Sequence, residues 1–140
     1  MQIEQITPRL TYKLRRDVLY PDKQLAEMGM AEDESGVHFG GFKDNKLVAV
    51  VSLFQKGSDF QFRKLAVDPL VQKMGLGNAM LKYIETYAEE NGGTRIWCNA
   101  RLSAIGFYLK ANYLQTGELF VRDGIDFQIL EKAIIPAANH

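Results

Sequence analysis

Val71-Gln72-Lys73-Met74-Gly75-Leu76-Gly77-Asn78 joins a strand-like run to a helix, and that junction sets the architecture. The run before it, residues 60–67, reads as a strand. The stretch after it, residues 78–91, is the clearest helix in the chain. Gly77, Met80, Leu81, Ile84 and Ala88 recur at helical spacing and form one apolar stripe, with Lys82, Glu85, Glu89 and Glu90 outside it. Gly92-Gly93 supplies a left-handed stop. Gly75 and Gly77 therefore lie at a helix N-terminus, where the first N–H groups have no intrahelical acceptor and the helix dipole is positive. Without Cβ atoms, such a turn lets a phosphate approach those groups. The same residues also read as a plain glycine-rich turn. They are not a dinucleotide fingerprint, because Met80 stands where the third glycine belongs, and no Gly-Lys-Ser/Thr follows to make a P-loop.

Working outward, residues 2–6 read as a first strand. Thr7-Pro8 reads as an N-cap with proline at the first helical position, and Leu10, Leu14 and Val18 carry a helix to Leu19, ended by Tyr20-Pro21. Residues 22–36 form a partly helical acidic loop with Glu27, Glu32, Asp33 and Glu34. Residues 37–43 and 47–55 are two strands of a hairpin turned at Asp44-Asn45, two residue types that accept positive φ. The turn Lys56-Gly57-Ser58-Asp59 leads into residues 60–67, and Asp68-Pro69 stops that strand. Beyond the long helix come a strand at 94–101, a short helix at 104–111 capped by Ser103, and Asn112 in a left-handed position. A last strand pair, 115–121 and 127–132, turns at Arg122-Asp123-Gly124, and residues 137–140 are a frayed end. Strand, helix, strand across 60–101 calls for two parallel strands with the helix on one face.

The chain has 140 residues, enough for one domain spanning 1–140. Seventeen Lys plus Arg balance seventeen Asp plus Glu, so no basic excess points to nucleic acid. One cysteine, Cys98, excludes an intramolecular disulfide and suits a reducing cytoplasm. No apolar run suggests a signal peptide or a membrane span. Two histidines and one cysteine make a structural zinc site improbable, so no metal is expected. Cys98 alternates with Ile96 and Ala100 and belongs to the core, while Trp97 and Asn99 face the other way.

Gln72-x-x-Gly75-x-Gly77, preceded by Leu65-Ala66-Val67-Asp68-Pro69, resembles the acyl-CoA pyrophosphate loop of the GNAT superfamily. Downstream, Asn99, Ala104 and Phe107-Tyr108 resemble the strand and short helix that hold the thiol end of the cofactor there. Lys110-Ala111-Asn112-Tyr113 stands where the family writes something like Lys-Leu-Gly-Phe. The resemblance covers residues 37–132 and is strongest over 60–113. Leu14-Arg15-Arg16-Asp17-Val18-Leu19 with Pro21 resembles a subgroup of small bacterial members.

The fold this implies is α/β (α+β): a mixed, mostly antiparallel central sheet, splayed at the parallel strands 60–67 and 94–101, with helices on both faces. The activity implied is direct transfer of an acetyl group from acetyl-CoA to an amine-bearing acceptor. The cofactor-binding residues implied are Leu65, Ala66 and Val67 along the pantetheine, Gln72, Lys73, Met74, Gly75, Leu76, Gly77 and Asn78 at the pyrophosphate, then Asn99, Phe107 and Tyr108. Tyr108 is the implied general acid to the CoA thiolate, and Val67 N–H the donor to the thioester oxygen. Tyr108 also reads as an ordinary core-edge aromatic beside Phe107 and Tyr113. The resemblance further implies a homodimer, and no membrane or nucleic-acid partner is expected.

Two departures stand out. Gln61 occupies the position where some members carry a glutamate base. Gly124-Ile125-Asp126-Phe127 replaces the Gly-Ile-Pro-His written before the last strand in the small bacterial subgroup. His38 is a candidate base at neutral pH, against the alternative of a satisfied strand histidine. Glu34, Asp59 and Glu118 are carboxylates that read better as solvated charges. The acidic stretch from Glu27 to Glu34 points to a cationic acceptor. The rival readings are an acyl-CoA sensor that transfers nothing, and a loop that holds another phosphate ligand such as a nucleotide.

Overall fold

The computed structural model describes residues 1–137. Of the frayed end expected at 137–140, residues 138–140 lie outside the described residues. Seven strands, β1 Gln2–Ile6, β2 Val37–Lys43, β3 Lys46–Lys56, β4 Asp59–Val67, β5 Arg95–Arg101, β6 Leu114–Arg122 and β7 Ile125–Ala133, form one sheet in the order β1-β2-β3-β4-β5-β7-β6. The strands from residues 2, 37 and 59 follow the expected pattern to within a residue. The parallel pair expected from the strand–helix–strand unit is β4 with β5, and its ladder covers Asp59–Arg95, Phe60–Ile96 and Gln61–Trp97. The pairs β1–β2, β2–β3, β5–β7 and β6–β7 are antiparallel, so the sheet is mixed and mostly antiparallel.

The chain divides into two compact units, Met1–Phe54 with Phe62–Ile84, and Gln55–Gln61 with Glu85–His140. In the first unit, Leu14, Val50 and Ala66 form a buried cluster with Ile6, Val18, Leu19 and Leu47 against it. Ala49 precedes Val50 and so points to the opposite face. On that face a Cβ at Gly41 would lie 3.4 Å from Ala49 Cβ and 3.1 Å from Met80 Sδ, so the strands carry no bulk there and the long helix comes close. Phe39 meets Tyr83 edge-on at 5.2 Å on the same side. Helical segments thus cover both faces of the sheet within this unit.

The segment expected as one helix from Pro8 to Leu19 is helical throughout but changes pitch: 3-10 at Pro8–Thr11, α at Tyr12–Leu14 and π at Arg15–Leu19. The apolar stripe begins only at Leu14, because Leu10 is half exposed at 52%. Arg15, on the π turn, enters the interior instead of pointing to water. The acidic loop contains two 3-10 turns, Leu25–Met28 and Ala31–Ser35.

In the second unit, β5 alternates as expected. Ile96, Cys98 and Ala100 are buried, while Arg95, Trp97, Asn99 and Arg101 are half exposed. Burial pushes the Cys98 thiol up to about 12, which leaves it an inert core group. Ser103 does not cap the short helix. It lies inside a 3-10 turn, Leu102–Ala104, that precedes the α-helix Ile105–Lys110, whose N-cap is Ala104. No membrane-crossing helix, long and apolar enough to span, occurs among the described residues.

Candidate functional site

β4 runs into Asp68, whose N–H donates to Val48 O at 2.8 Å and whose carboxylate accepts from Leu70 N–H at 3.0 Å. These bonds end the strand and fold Pro69–Val71 into a 3-10 turn. Gln72 then reaches back, its Nε2 donating to Val67 O at 2.8 Å. The chain next takes two left-handed steps, Lys73 at φ 73 and Gly75 at φ 77, flanking Met74. Alternation of this kind turns successive N–H groups to one side and makes an anion-binding hollow.

The helix Leu76–Glu90 starts directly after Gly75, two residues earlier than the helix expected at 78–91, so Gly77 is helical. Among the described residues, the first N–H after Gln72 with an acceptor is that of Ala79, donating to Gly75 O at 3.0 Å. A Cβ built at Gly75 meets nothing within 4 Å, so the space over this loop is open. Free N–H groups, a positive helix end and open space are what a diphosphate requires. Leu76 faces the core, at 9% exposed, which anchors the loop while Gln72, Lys73, Met74, Gly75 and Asn78 remain at the surface. Met74 Sδ accepts from Lys43 Nζ at 3.4 Å.

Upstream on β4, Leu65 and Val67 are half buried and Ala66 is buried in the Leu14–Val50 cluster. Lys64 holds φ 58 inside this strand, an uncommon conformation for a long side chain. Its ammonium donates to Tyr20 Oη and lies 4.4 Å from the Tyr20 ring centroid. Nothing local in the sequence signals this twist. It is held by a partner 44 residues away.

In the second unit, Asn99 sits on β5 opposite Ile129 of β7, on the half-exposed face with Trp97. The short helix Ile105–Lys110 presents Phe107 and Tyr108, whose rings meet edge-on at 5.1 Å, and Tyr108 meets Tyr113 in the same way at 5.9 Å. The turn that closes this helix positions Tyr113. Asn112 is left-handed at φ 72, as expected, and Tyr113 N–H returns to Tyr108 O at 3.0 Å. Tyr113 Oη donates to Glu85 at 2.8 Å, and Lys132 reaches the same carboxylate at 3.0 Å. Burial, with the Cys98 charge as a lesser cause, pushes the Tyr108 phenol well above its ordinary range. Tyr108 therefore keeps its proton throughout the neutral range.

His38 lies in a buried polar network of the first unit. Its Nδ1 is 2.7 Å from Ser52 Oγ and its Nε2 is 2.7 Å from the Asp33 carbonyl. A carbonyl only accepts, so Nε2 carries the proton and Ser52 donates to Nδ1 when the ring is neutral. Both ring nitrogens are thus engaged, and the side chain is 2% exposed. Sequence reading missed the centre of this network. Asp33 accepts from both terminal nitrogens of Arg15 at 2.9 Å, and Arg15 also donates to Met28 O and Ser52 Oγ. Burial works to raise the Asp33 carboxyl, while bonds from Arg15 and the Met30 N–H outweigh it and hold the group below its ordinary value.

The acidic stretch is largely occupied: Asp33 by Arg15, Glu32 by Arg63 at 3.5 Å, and Glu27 by the Gln24 N–H at 2.8 Å. Gln61 pairs in register with Trp97. At the altered turn, Asp123 and Gly124 take positive φ, Asp126 is exposed and Phe127 stacks on Phe120 at 5.2 Å.

A family described as "Acetyltransferase (GNAT) domain" matches residues 11–134. The chain is 27% identical to the uncharacterized N-acetyltransferase YitI of Bacillus subtilis, over 93% of each protein. Its fold is similar to that of the ribosomal-protein-S18-alanine N-acetyltransferase from Escherichia coli, with a TM-score of 0.81, 20% identity, and coverage of 98% of this chain and 96% of that one. It is also similar to a GNAT family acetyltransferase from Elizabethkingia anophelis with acetyl-CoA bound, with a TM-score of 0.72, 18% identity, and coverage of 95% and 97%. With a match running from the N-terminal helical segment to the end of β7, the chain belongs to the GNAT acetyltransferase family and is an acyltransferase.

Proposed function

We propose that the chain transfers an acetyl group from acetyl-CoA directly to a primary amine, acting as one domain over residues 1–140. The family match runs through both compact units, which supports a single working domain. The observation that carries the cofactor reading is the loop at residues 72–78, whose backbone N–H groups have no acceptor among the described residues and open to free space. Those groups hold the diphosphate, and Leu65, Ala66 and Val67 line the pantetheine, with Asn99 and Phe107 toward its thiol end. The acetyl-CoA-bound neighbour supports this choice of cofactor. The lone buried thiol of Cys98 suits a reducing compartment, and the cytoplasm is the proposed location.

The neutral amine attacks the thioester carbonyl, a C–N bond forms and the C–S bond breaks. Nitrogen loses one proton and sulfur gains one, so the reaction balances without a separate acid or base. Tyr108, protonated at neutral pH, supplies the sulfur and recovers its proton from the nitrogen side through water. Val67 N–H donates to the thioester oxygen. His38 keeps its structural place, since both ring nitrogens are already bonded. An amine that loses its proton to bulk water needs no dedicated base. With Asp33, Glu32 and Glu27 already engaged, the acidic stretch assigns no charge to the acceptor.

A second reading, an acyl-CoA sensor without turnover, is favoured by Gln61 and by Phe127, which stand where the family resemblance implies a glutamate base in some members and a histidine in the small bacterial subgroup. Calorimetric titration with acetyl-CoA, with ATP as comparison, tests the cofactor loop. Saturable one-site binding that ATP does not match supports it, and no binding removes it. A panel of amines then separates turnover from sensing.

A further inference from the structure

β4 carries two cations side by side, Arg63 and Lys64, and both are half-buried. Val50, Ser52 and Phe54 alternate along β3 and share the sheet face that Leu14 and Arg15 cover. Arg63 lies over the Phe54 ring at 5.9 Å, which puts it on that face. Lys64 lies over the Tyr20 ring at 4.4 Å, and Tyr20 follows Leu19, which packs on the Leu14–Val50–Ala66 cluster. Arg63, Lys64 and Ala66 therefore share one side, although strand alternation would send Arg63 and Lys64 to opposite sides. The left-handed φ of 58 at Lys64 breaks the alternation, as in a β-bulge. The charges on this face do not balance. Arg15 is matched by Asp33. Arg63 and Lys64 together meet one carboxylate among the described residues, that of Glu32, which stands 3.5 Å from Arg63 with its side chain 57% exposed. Lys64 meets only Tyr20, through the phenol oxygen and the ring. An ammonium has three N–H donors and Tyr20 takes one. A half-buried cation in this state is costly unless an anion joins it.

We propose that Lys64, with Arg63 beside it, binds a carboxylate of the acceptor. The substrate is then an amine that also bears a carboxylate: an amino acid, or a short peptide held by its C-terminus. The inference rests on the acetyl-transfer reading and names the substrate class within it. Lys64 stands three residues before Val67, whose N–H is proposed to meet the thioester oxygen. At a strand rise of about 3.3 Å per residue the two are about 10 Å apart, a span that the lysine stem and an acceptor of amino-acid or dipeptide size cover together. Tyr20 holds the ammonium across its ring before any substrate arrives, so little side-chain freedom is lost on binding. The carboxylate takes no part in the bond exchange: nitrogen gains the acetyl group and sulfur gains the proton, as above. The same charges work against polyamines and aminoglycosides, whose additional ammonium groups would meet Arg63 and Lys64 without compensation. This class replaces the cationic acceptor suggested by the acidic stretch, where Asp33, Glu32 and Glu27 are already engaged.

The test offers the full chain, at saturating acetyl-CoA, each common amino acid and a set of dipeptides beside the matching C-terminal amides. For the acceptors it uses, kcat/KM should be roughly ten- to a hundredfold higher for the carboxylate than for its amide, as expected for one charge-assisted contact. The amide's amine is the less basic, so more of it is neutral at the assay pH, and basicity alone would favour the amide. Free amino acids against dipeptides separate the two sources of the carboxylate. Lys64→Met should erase the preference, and Lys64→Arg, which keeps the charge, should retain most of it. Calorimetric titration with acetyl-CoA shows that each variant is folded, and the comparison on the parent decides the matter without any variant. A parent that does not bind acetyl-CoA overturns the transfer reading itself. A parent that binds acetyl-CoA but uses amides as well as acids, or acetylates nothing in the set, overturns the carboxylate site alone. So does a preference for the acid that survives Lys64→Met.

Discussion

Arg15 and Asp33, 18 residues apart, meet in a two-pronged ion pair with both N–O distances at 2.9 Å, buried against two neighbouring strands, β2 carrying His38 and β3 carrying Ser52. The pair ties the π turn of the N-terminal segment to the 3-10 turn that leads into β2. It also fixes the His38 ring, because the Asp33 carbonyl takes one ring nitrogen and the Arg15-bonded Ser52 takes the other.

Arg15→Ala leaves a buried carboxylate without its counter-charge. Such a loss costs about 3–5 kcal/mol, whereas replacing both partners by apolar residues of similar volume costs far less. Urea unfolding of Arg15→Ala, of Arg15→Met with Asp33→Leu, and of the parent should show a large drop followed by substantial recovery. Equal loss in both variants would mean that the pair does not act as a unit.

The same pair sets an acid limit. The folded Asp33 carboxyl lies below its unfolded value of 3.8. Its contribution is complete above 3.8 and is lost as pH falls through the lower folded value. The stability of the parent should therefore decline below about pH 4 more steeply than that of the double apolar variant, as read from melting temperature against pH.

Legibility in the sequence followed how local each cause is. The turns at Asp44-Asn45 and Asp123-Gly124 and the left-handed Asn112 were readable because positive φ selects a few residue types at the position itself. The glycine loop was readable for the same reason, and its resemblance to a family motif carried the cofactor. Lys64 takes positive φ with no such signature, because the contact with Tyr20 that holds it is tertiary. Asp33 stood undistinguished among the acids of its loop, since nothing in Glu32-Asp33-Glu34 tells which carboxylate turns inward to an arginine in another segment. The pitch change from α to π at Arg15 is equally silent in a stripe of leucine and valine.

Gly75→Val probes the loop without touching the core. A Cβ there meets no protein atom within 4 Å, so the main folding cost is the left-handed backbone, about 1–2 kcal/mol. The side chain would stand where the diphosphate is proposed to lie. The KM for acetyl-CoA should rise roughly ten- to a hundredfold, as expected for one or two lost charge-assisted bonds, while kcat at saturation changes little. A KM within about twofold of the parent would remove the diphosphate from this loop.

Tyr108→Phe tests the acid and separates it from packing. The ring contacts with Phe107 and Tyr113 are kept, so the variant should remain folded by circular dichroism and keep its affinity for acetyl-CoA. Loss of the proton donor should lower kcat by about 10²- to 10⁴-fold. The pH profile adds a second readout. Burial raises the phenol above its ordinary value, so its donor form persists well into the alkaline range. The rate of the parent should therefore climb as the acceptor amine loses its proton and should not fall again by pH 10. A decline beginning near pH 9 would assign the titrating acid to another group, and an unchanged kcat in Tyr108→Phe would return Tyr108 to a packing role.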